Sequence, residues 1–377
     1  MLEWLSAADP GRVHTEGRMA RAALEDARAA VAALLGTRPR QVIFTSGATE
    51  SINAAVFGAL CDSPGAVVLA DVEHSAVREA SALWATRLVT VGVDRDGRLS
   101  AEEVASVLAS TPDARLVQCQ LGNHEVGTLQ PVGEVAECCR SAGVLLHVDA
   151  AAAAGHVPID FDRLGVDLLS VSAHKMGGPA GTGALLVRRG LRVPPLLVGG
   201  SQERARRAGM ENVAAVVGFG AVAAHLSSGS SGKGGSSDTG GPAADDPRRA
   251  SALSCEATRA AAQVERLRAA VGALSGVSVF GPADRADRLP HLLCVGIEGV
   301  EAEGVLVGLD RAGVAAHSGS ACSSEALEPS PVLQAMGVES ERSLRFSVGW
   351  STTDEEVDTA AASFAPVVEE LRRLGRR

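Results

Sequence analysis

The sequence DLLSVSAHK at residues 167–175 joins a short apolar run to a histidine and a lysine. Four comparable runs precede it along the chain, at residues 42–45, 66–70, 116–119 and 144–148. Ala-rich segments with helical spacing, such as Met19 to Leu35, lie between them, and the runs are typical of buried strands. Strands that alternate with helices in this way predict an α/β fold with a mostly parallel central sheet flanked by helices.

A polar cluster follows the first of these runs, at the strand end where α/β sheets bind ligands. The residues are TSGATES, 45–51, and they precede a predicted helix over Ile52 to Leu60. A glycine turn that opens a helix offers free N–H groups and the positive end of the helix dipole, which suits a phosphate group. The alternative is an ordinary helix cap made by Ser46 or Thr49.

Two charged residues stand at the ends of later runs. Asp149 follows the run at 144–148 and suits a helix cap, a metal ligand or a partner for a protonated pyridine nitrogen. Lys175 is costly at a buried strand end unless it is paired or used covalently. Because a Gly-rich run at 177–183 follows it, a Schiff-base lysine is favoured over a surface lysine.

Two further residues suit a reactive thiol and a carboxylate-binding group. Cys322 lies in the small-residue loop HSGSACSS, 317–324, where a thiol has access to solvent; the alternative is an incidental loop cysteine. Arg345 lies inside an apolar run at 343–347. A half-buried guanidinium there suits a carboxylate, either of a protein acid or of an amino-acid substrate.

Length, charge and cysteine usage restrict the class of protein. The 377 residues are 46% apolar and 21% charged with a formal net charge of −10, which argues against affinity for nucleic acid or an anionic membrane surface. No run approaches the ~20 apolar residues of a membrane span, and the start lacks signal-peptide character, so a cytoplasmic location is predicted. The seven cysteines show no zinc-ligand spacing, and no metal site is expected.

Eight motifs occur in the order and spacing found in cysteine desulfurases: TSGATES, EHSAV, NHEVGT, HVDA, SAHK, GSACSS, LEPS and LRFSVG. The chain resembles this family, which belongs to the class V aminotransferase group of fold type I pyridoxal-phosphate enzymes, over about residues 8–226 and 250–370. The GSACSS loop is similar to that of the branch that supplies iron–sulfur assembly and tRNA thiolation.

The resemblance implies pyridoxal 5′-phosphate as cofactor and L-cysteine as substrate. Lys175 would form the Schiff base and shuttle protons, Asp149 would pair with the pyridinium nitrogen, and His74 would stack on the ring and act in acid–base steps. Arg345 would bind the cysteine carboxylate, and Cys322 would attack the substrate sulfur, keep it as a persulfide and release alanine. The phosphate would be held by Ala48, Thr49, Ser172 and His174.

Several positions depart from the family pattern. Ala152 replaces a glutamine that bonds the cofactor's ring hydroxyl, and His124 replaces an asparagine. We expect His124 to donate to the ring oxygen, with the neighbouring Asn123 as the alternative cofactor and substrate contact. Met210 replaces a phosphate-binding threonine that the family contributes across its dimer, so one phosphate contact would be lost.

The resemblance also divides the chain. Residues 15–226 are predicted to form the large cofactor-binding domain and residues 250–377 a smaller α+β domain that carries the cysteine loop. The Gly/Ser-rich segment 227–249 is a predicted flexible loop between them. Residues 1–14 would be a remnant of the small domain, because the family's first strand is missing; a misassigned start codon or a cropped small domain would explain this.

The predicted assembly is a homodimer that passes sulfur to an acceptor protein. Two alternatives remain beside the cysteine desulfurase. One is a specialised lyase or sulfur donor with another thiol or selenol substrate, indicated by Ala152 and His124. The other is a weakened paralogue that serves as a scaffold subunit, indicated by Met210, Ala152 and the missing N-terminal strand.

Overall fold

Two β-sheets organise the chain. The computed structural model describes residues 1–228, 251–318, 330–339 and 341–375. Cys322, the GSACSS motif and residues 229–249 of the predicted Gly/Ser-rich loop lie outside the described residues.

The larger sheet has seven strands in the order β1-β7-β6-β5-β4-β2-β3. The pairs β2–β3, β2–β4, β4–β5 and β5–β6 are parallel, whereas β7 runs antiparallel to both β1 and β6. The strands are β1 (Val42–Thr45), β2 (Ala66–Ala70), β3 (Arg87–Val91), β4 (Ala114–Gln120), β5 (Leu145–Asp149), β6 (Leu168–Ser172) and β7 (Gly183–Val187).

The mostly parallel sheet and all five predicted strands are confirmed, and β3 and β7 were not predicted. The edge strand β3 is largely exposed and therefore lacks the continuous apolar run of a central strand. The strand β7 begins inside the Gly-rich run after Lys175, which the sequence presents as a turn. Its antiparallel direction depends on residues 173–182, which turn the chain back from β6 to pair with it.

Helices cover both faces of the larger sheet. Helices α2 and α3 pack on one face, and α1, α5 and α8 on the other. A Cβ atom on Gly220 of α8 would lie 2.5 Å from the Cα of Ala27, so this glycine allows α8 to lie against α1. The helices are α1 (Thr15–Leu34), α2 (Ala48–Leu60), α3 (Ser75–Trp84), α4 (Ala101–Ser110), α5 (Val132–Ala142), α6 (Phe161–Leu164), α7 (Gln202–Ala205) and α8 (Val213–Ser227).

The smaller sheet is antiparallel, in the order β10-β11-β9-β8, and has a hydrophobic core of its own. This confirms the predicted C-terminal α+β region; the exact domain boundaries stay predictions. The elements are α9 (Ala252–Gly272), β8 (Val277–Phe280), β9 (Leu292–Ile297), α10 (Ala302–Arg311), β10 (His317–Ser318), α11 (Pro331–Ala335), β11 (Ser343–Ser347) and α12 (Asp354–Leu374). None of the helices in the described part of the chain has the length and hydropathy of a membrane span.

Candidate active site

A cavity of about 890 Å³ lies where the carboxyl ends of β5 and β6 meet the smaller sheet. The larger sheet and its helices contribute most of the predicted site residues, and β11 contributes Arg345. The predicted residues that line it are Ala48, Thr49, His74, His124, Asp149, Ser172, His174, Lys175 and Arg345.

Lys175 enters the cavity from a 3₁₀ turn, Ala173–Met176, that follows β6 directly. The turn ends at Gly177, whose φ of 85° is a left-handed conformation that glycine adopts without strain. Strand β6 is fully buried, so it fixes the start of this turn against the rest of the sheet. The lysine predicted from DLLSVSAHK therefore stands at the ligand-binding edge of the sheet.

Asp149 ends the neighbouring strand β5 and is 8% exposed. Burial raises the pKa of its carboxyl group, while the N–H of Ala151 and the charges of His74, His124 and Lys175 act in the opposite direction. The Ala151 N–H donates to Oδ1 at 2.9 Å, and none of the described residues donates to Oδ2. Asp149 can therefore accept a hydrogen bond from a cationic ring nitrogen in the cavity.

The start of α2 has the features of a helix terminus that can bind an anion. No side chain caps this helix at Gly47, so neither Ser46 nor Thr49 makes the cap that was the alternative reading of this motif. A Cβ atom on Gly183 would lie 2.8 Å from the Cα of Gly47, so these glycines bring β7 next to the helix start. Ser172 Oγ lies near Gly47 and 2.9 Å from the Nδ1 of His174, which adds side-chain groups to the free helix amides.

His74 and His124 form one wall of the cavity. Their rings pack edge to face, with centroids 5.0 Å apart and an interplanar angle of 67°. His74 is the N-cap of α3, and its Nδ1 accepts from the N–H of Ala76 at 3.0 Å. In the neutral ring the proton is therefore on Nε2, which is the nitrogen left for contact with a ligand.

His124 and Asn123, which the sequence left as alternatives, have different surroundings in the structure. Asn123 is fully buried and does not line the cavity. Its Oδ1 accepts from the N–H groups of Glu125 and Val126 at 2.8 and 2.9 Å, and its Nδ2 donates to the carbonyl of Val72 at 3.4 Å. Asn123 therefore holds the loop that presents His124, and the cofactor or substrate contact predicted for it stays a prediction.

Arg345 has no acidic partner among the described residues. Its Nη1 donates to the carbonyl oxygen of His124 at 2.9 Å, and its Nε is buried with no hydrogen-bond partner in residues 1–228, 251–318, 330–339 and 341–375. A protein carboxylate was one of the two partners that the sequence suggested, and no described ion pair includes this residue. The guanidinium therefore keeps donors for a ligand carboxylate.

Several residues near the cavity were not recognised in the sequence. His156, His291 and Trp350 line it, but each is isolated in the sequence from any motif of catalytic type. Glu73 was also missed, although it is the first residue of the EHSAV motif and could have been found from that motif. It is 2% exposed, and its pKa is raised to about 8. Burial is the main cause, and the charge of Asp149 acts in the same direction, whereas the hydrogen bond from the Gln120 N–H lowers the pKa.

The profile of the aminotransferase class-V family matches residues 3–233 and 252–359. The chain belongs to this family. A putative cysteine desulfurase of Bacillus subtilis is 39% identical, with 97% of this chain and 92% of the relative covered. Cysteine desulfurase NifS of Azotobacter vinelandii is 36% identical, with coverages of 97% and 87%. Among solved structures, DndA of Streptomyces lividans is 31% identical with a TM-score of 0.70, covering 92% and 94% of the two chains.

Class-V aminotransferases of this kind depend on pyridoxal 5′-phosphate, and the cavity has the groups that this cofactor requires. Lys175 could supply the amine, Asp149 is a buried carboxylate that could face the pyridine nitrogen, and the uncapped start of α2 could receive the phosphate. At Ala152 the cavity wall has a methyl group instead of a hydrogen-bond donor. Met210 is 59% exposed and does not line the cavity of its own chain.

Proposed function

We propose that the protein is a cysteine desulfurase that converts L-cysteine to L-alanine and keeps the sulfur atom on Cys322 as a persulfide. One observation carries this proposal: the cavity that holds Lys175 and Asp149 also holds a guanidinium, Arg345, with donors free for an amino-acid carboxylate. The curated relatives named above, which are called cysteine desulfurases, support the same substrate.

Four parts of the chain would hold the cofactor. Lys175 would bind it covalently, Asp149 would accept from the pyridine nitrogen, and the first turn of α2 with Ser172 and His174 would bind its phosphate. His124 would donate to the ring oxygen, since Ala152 lacks a polar group. When bound, pyridoxal phosphate withdraws electrons from the substrate carbons and so stabilises negative charge on them.

The side chains of the cavity would orient the substrate and move its protons. Arg345 would bind the carboxylate of cysteine and fix the direction in which the α-carbon faces Lys175. The Nζ of Lys175 would take the α-proton and return a proton at a later step. His74 Nε2, the nitrogen not engaged by Ala76, would hold the proton exchanged with the substrate thiol.

The sulfur transfer step would need an accessible thiolate. The Cys322 sulfur would attack the sulfur of cysteine, so that an S–S bond forms as the substrate C–S bond breaks. The electron pair of the broken bond would go to the substrate carbon, which takes up a proton to become the methyl group of alanine. None of the described cysteines lines the cavity, and burial raises the pKa of the Cys119, Cys139 and Cys294 thiols.

Exchange of single cysteines tests the proposal. Cys322→Ala should lower alanine and sulfide formation from L-cysteine by about a thousandfold or more, because the nucleophile is lost. The visible absorbance of the bound cofactor should persist. Cys255→Ala is the matched control, since Cys255 is exposed on α9 and should leave turnover unchanged. Normal turnover in Cys322→Ala would show that the nucleophile is assigned wrongly.

The assembly and location belong to the same proposal. We infer a cytoplasmic homodimer, in which the partner's copy of the loop around Met210 approaches the phosphate site. Large apolar side chains are exposed near this loop: Leu197 by 40%, Val198 by 77% and Met210 by 59%. Arg207 of the same loop pairs with Glu50 in the first turn of α2 at 2.8 Å, which supports a position of this loop near the proposed phosphate site. A sulfur-acceptor protein would take the persulfide sulfur.

The same assay separates the two alternative functions. A lyase for another thiol or selenol would show cofactor absorbance but prefer a different substrate over L-cysteine in a panel. A scaffold subunit would bind the cofactor weakly and release no alanine. Strong absorbance together with alanine release from L-cysteine excludes both alternatives.

A further inference from the structure

Two histidines stack across the cavity at the junction of the two sheets. The rings of His156 and His291 have centroids 3.5 Å apart and an interplanar angle of 17°. His156 follows the turn after β5, on the side of the larger sheet, and His291 directly precedes β9 of the smaller sheet. Both line the cavity beside Lys175, and neither has a part in the proposed reaction.

His156 contacts the backbone of the reactive lysine itself. Its Nε2 lies 2.9 Å from the carbonyl oxygen of Lys175, and because a carbonyl only accepts, Nε2 carries the proton. Burial lowers the pKa of His156, so the ring is neutral at neutral pH. The residues next to His156 and Lys175 also pack closely: a Cβ atom on Gly155 would lie 2.2 Å from the Cβ of Met176. The turn before His156 thus packs directly on the Lys175 segment.

His291 connects this contact to the strands that carry Arg345. The residue is 8% exposed, and its Nδ1 is buried with no hydrogen-bond partner in the described structure. Its carbonyl oxygen accepts from the N–H of Val348 at 3.0 Å, just beyond β11. Strand β9 then pairs with β11, with Cys294 opposite Arg345. The stack therefore joins the lysine turn to the strand pair that positions the guanidinium.

Electrostatics favour a neutral stack. Burial, followed by the charge that a protonated His156 would carry and the charges of Lys175 and Arg345, lowers the pKa of His291 well below its ordinary value. Two neutral aromatic rings attract each other when stacked, whereas two cations at this distance would repel. The pair therefore provides an apolar contact between the sheets and a single directed hydrogen bond to Lys175.

We propose that His156 is a positioning residue for Lys175, and that its stacking on His291 sets the position of the Lys175 turn relative to Arg345. This inference rests on the proposed role of Lys175 in the desulfurase. Interdomain packing alone would not require a donor aimed at the carbonyl of the lysine. A displacement of about 1 Å between reacting groups can lower a rate by about a hundredfold, so a loose lysine turn would be costly for catalysis.

Hydrogen exchange in the cofactor-free protein tests the positioning role without any assay of activity. The amides of Ala173, Gly177 and Gly178 are hydrogen-bonded within the lysine turn or to the adjacent β7 connection. His156→Ala should accelerate exchange across residues 173–178 by at least about tenfold. His156→Gln keeps an N–H donor and should restore part of the protection, and His225→Ala on the exposed side of α8 is the matched control.

The holoenzyme supplies a second readout. In His156→Ala we expect kcat to fall about 10- to 100-fold, with a shifted absorbance maximum of the bound cofactor. His291→Phe keeps the ring and should behave like the wild type, whereas His291→Ala should resemble His156→Ala. Unchanged exchange over residues 173–178 in His156→Ala, or equal defects in His291→Phe and His291→Ala, would overturn the inference. Failure of the wild type to release alanine would instead refute the desulfurase and leave the exchange result intact.

Discussion

Arg345 Nη1 donates to the backbone carbonyl of His124 at 2.9 Å, and its buried Nε has no partner within the part of the chain that the structure describes. One N–H group of the guanidinium is thus used to hold it in place, and its other N–H groups remain available in the cavity. A planar group fixed in this way can bind a carboxylate through two parallel hydrogen bonds. In the proposed function, this contact between β11 and the loop after β4 would set the orientation of the L-cysteine carboxylate.

Replacing Arg345 by lysine should weaken substrate binding. Lysine keeps the charge but cannot make the two parallel bonds, and a hydrogen bond between charged groups is worth about 1.5–3 kcal/mol. We expect the KM for L-cysteine to rise about 10- to 100-fold in Arg345→Lys, with a smaller change in kcat. Steady-state kinetics measures both, and the exposed Arg342→Ala is the control. An unchanged KM in Arg345→Lys would exclude a carboxylate contact.

Glu73 should make the stability of the protein depend on pH. Its pKa is raised from 4.5 to about 8, so it stays protonated in the folded chain while the unfolded chain ionises above pH 4.5. The free energy of unfolding should therefore decrease as the pH rises from about 4.5 to 8, by up to about 1.4 kcal/mol per pH unit. Glu73→Gln removes this titration.

Urea unfolding at several pH values checks the role of Glu73. The stability of Glu73→Gln relative to the wild type should increase between pH 5 and pH 8. Glu79→Gln, an exposed position on α3, should show no such trend. Parallel pH profiles for Glu73→Gln and the wild type would mean that Glu73 is already ionised in the folded protein.

A buried ion pair fixes the first helix to the sheet. Arg28 of α1 and Glu203 are 1% and 2% exposed, with two N–O distances of 2.7 Å, and Glu203 also accepts from the N–H of Phe44 at 2.9 Å. Removing one partner leaves a buried charge, so Arg28→Ala should lower the free energy of unfolding by about 3–5 kcal/mol.

The matched control is Arg87→Ala, which breaks the exposed pair with Asp113 and should lower the free energy of unfolding far less than Arg28→Ala, because solvent screens the pair. Chemical denaturation of the two variants gives both values. Equal losses in Arg28→Ala and Arg87→Ala would show that burial adds nothing to the first pair.

Restoring a polar group at Ala152 should tighten cofactor binding. Ala152 lines the cavity with a methyl group, and a glutamine there could donate to the cofactor's ring oxygen. A net gain of about 0.5–1.5 kcal/mol corresponds to a dissociation constant about 2- to 10-fold lower in Ala152→Gln. Titration of the cofactor-free protein measures the dissociation constant, with Ala221→Gln at an exposed position of α8 as control. Weaker binding in Ala152→Gln would indicate that His124 already occupies this place.

The sequence determined the fold to a large extent. Runs such as Ala66–Ala70 are apolar on both faces, and this property is enough to place a strand in the middle of a parallel sheet. Lys175 and Asp149 were predictable for a related reason. Burying a charge at the end of such a run costs free energy unless the charge is paired or takes part in binding or chemistry. The strand β3 escaped prediction since an edge strand is partly exposed and lacks this pattern.

Tertiary structure decided which neighbouring side chain faces the cavity and which groups meet across it. Asn123 and His124 are adjacent in sequence, yet only the packing of their loop turns one inward to the protein and the other to the site. His156 and His291 belong to different sheets, so no local pattern can predict their stack. The same holds for the raised pKa of Glu73, which is a property of its burial and not of its sequence. Local periodicity specifies elements, whereas contacts between distant segments arise when the sheets pack together.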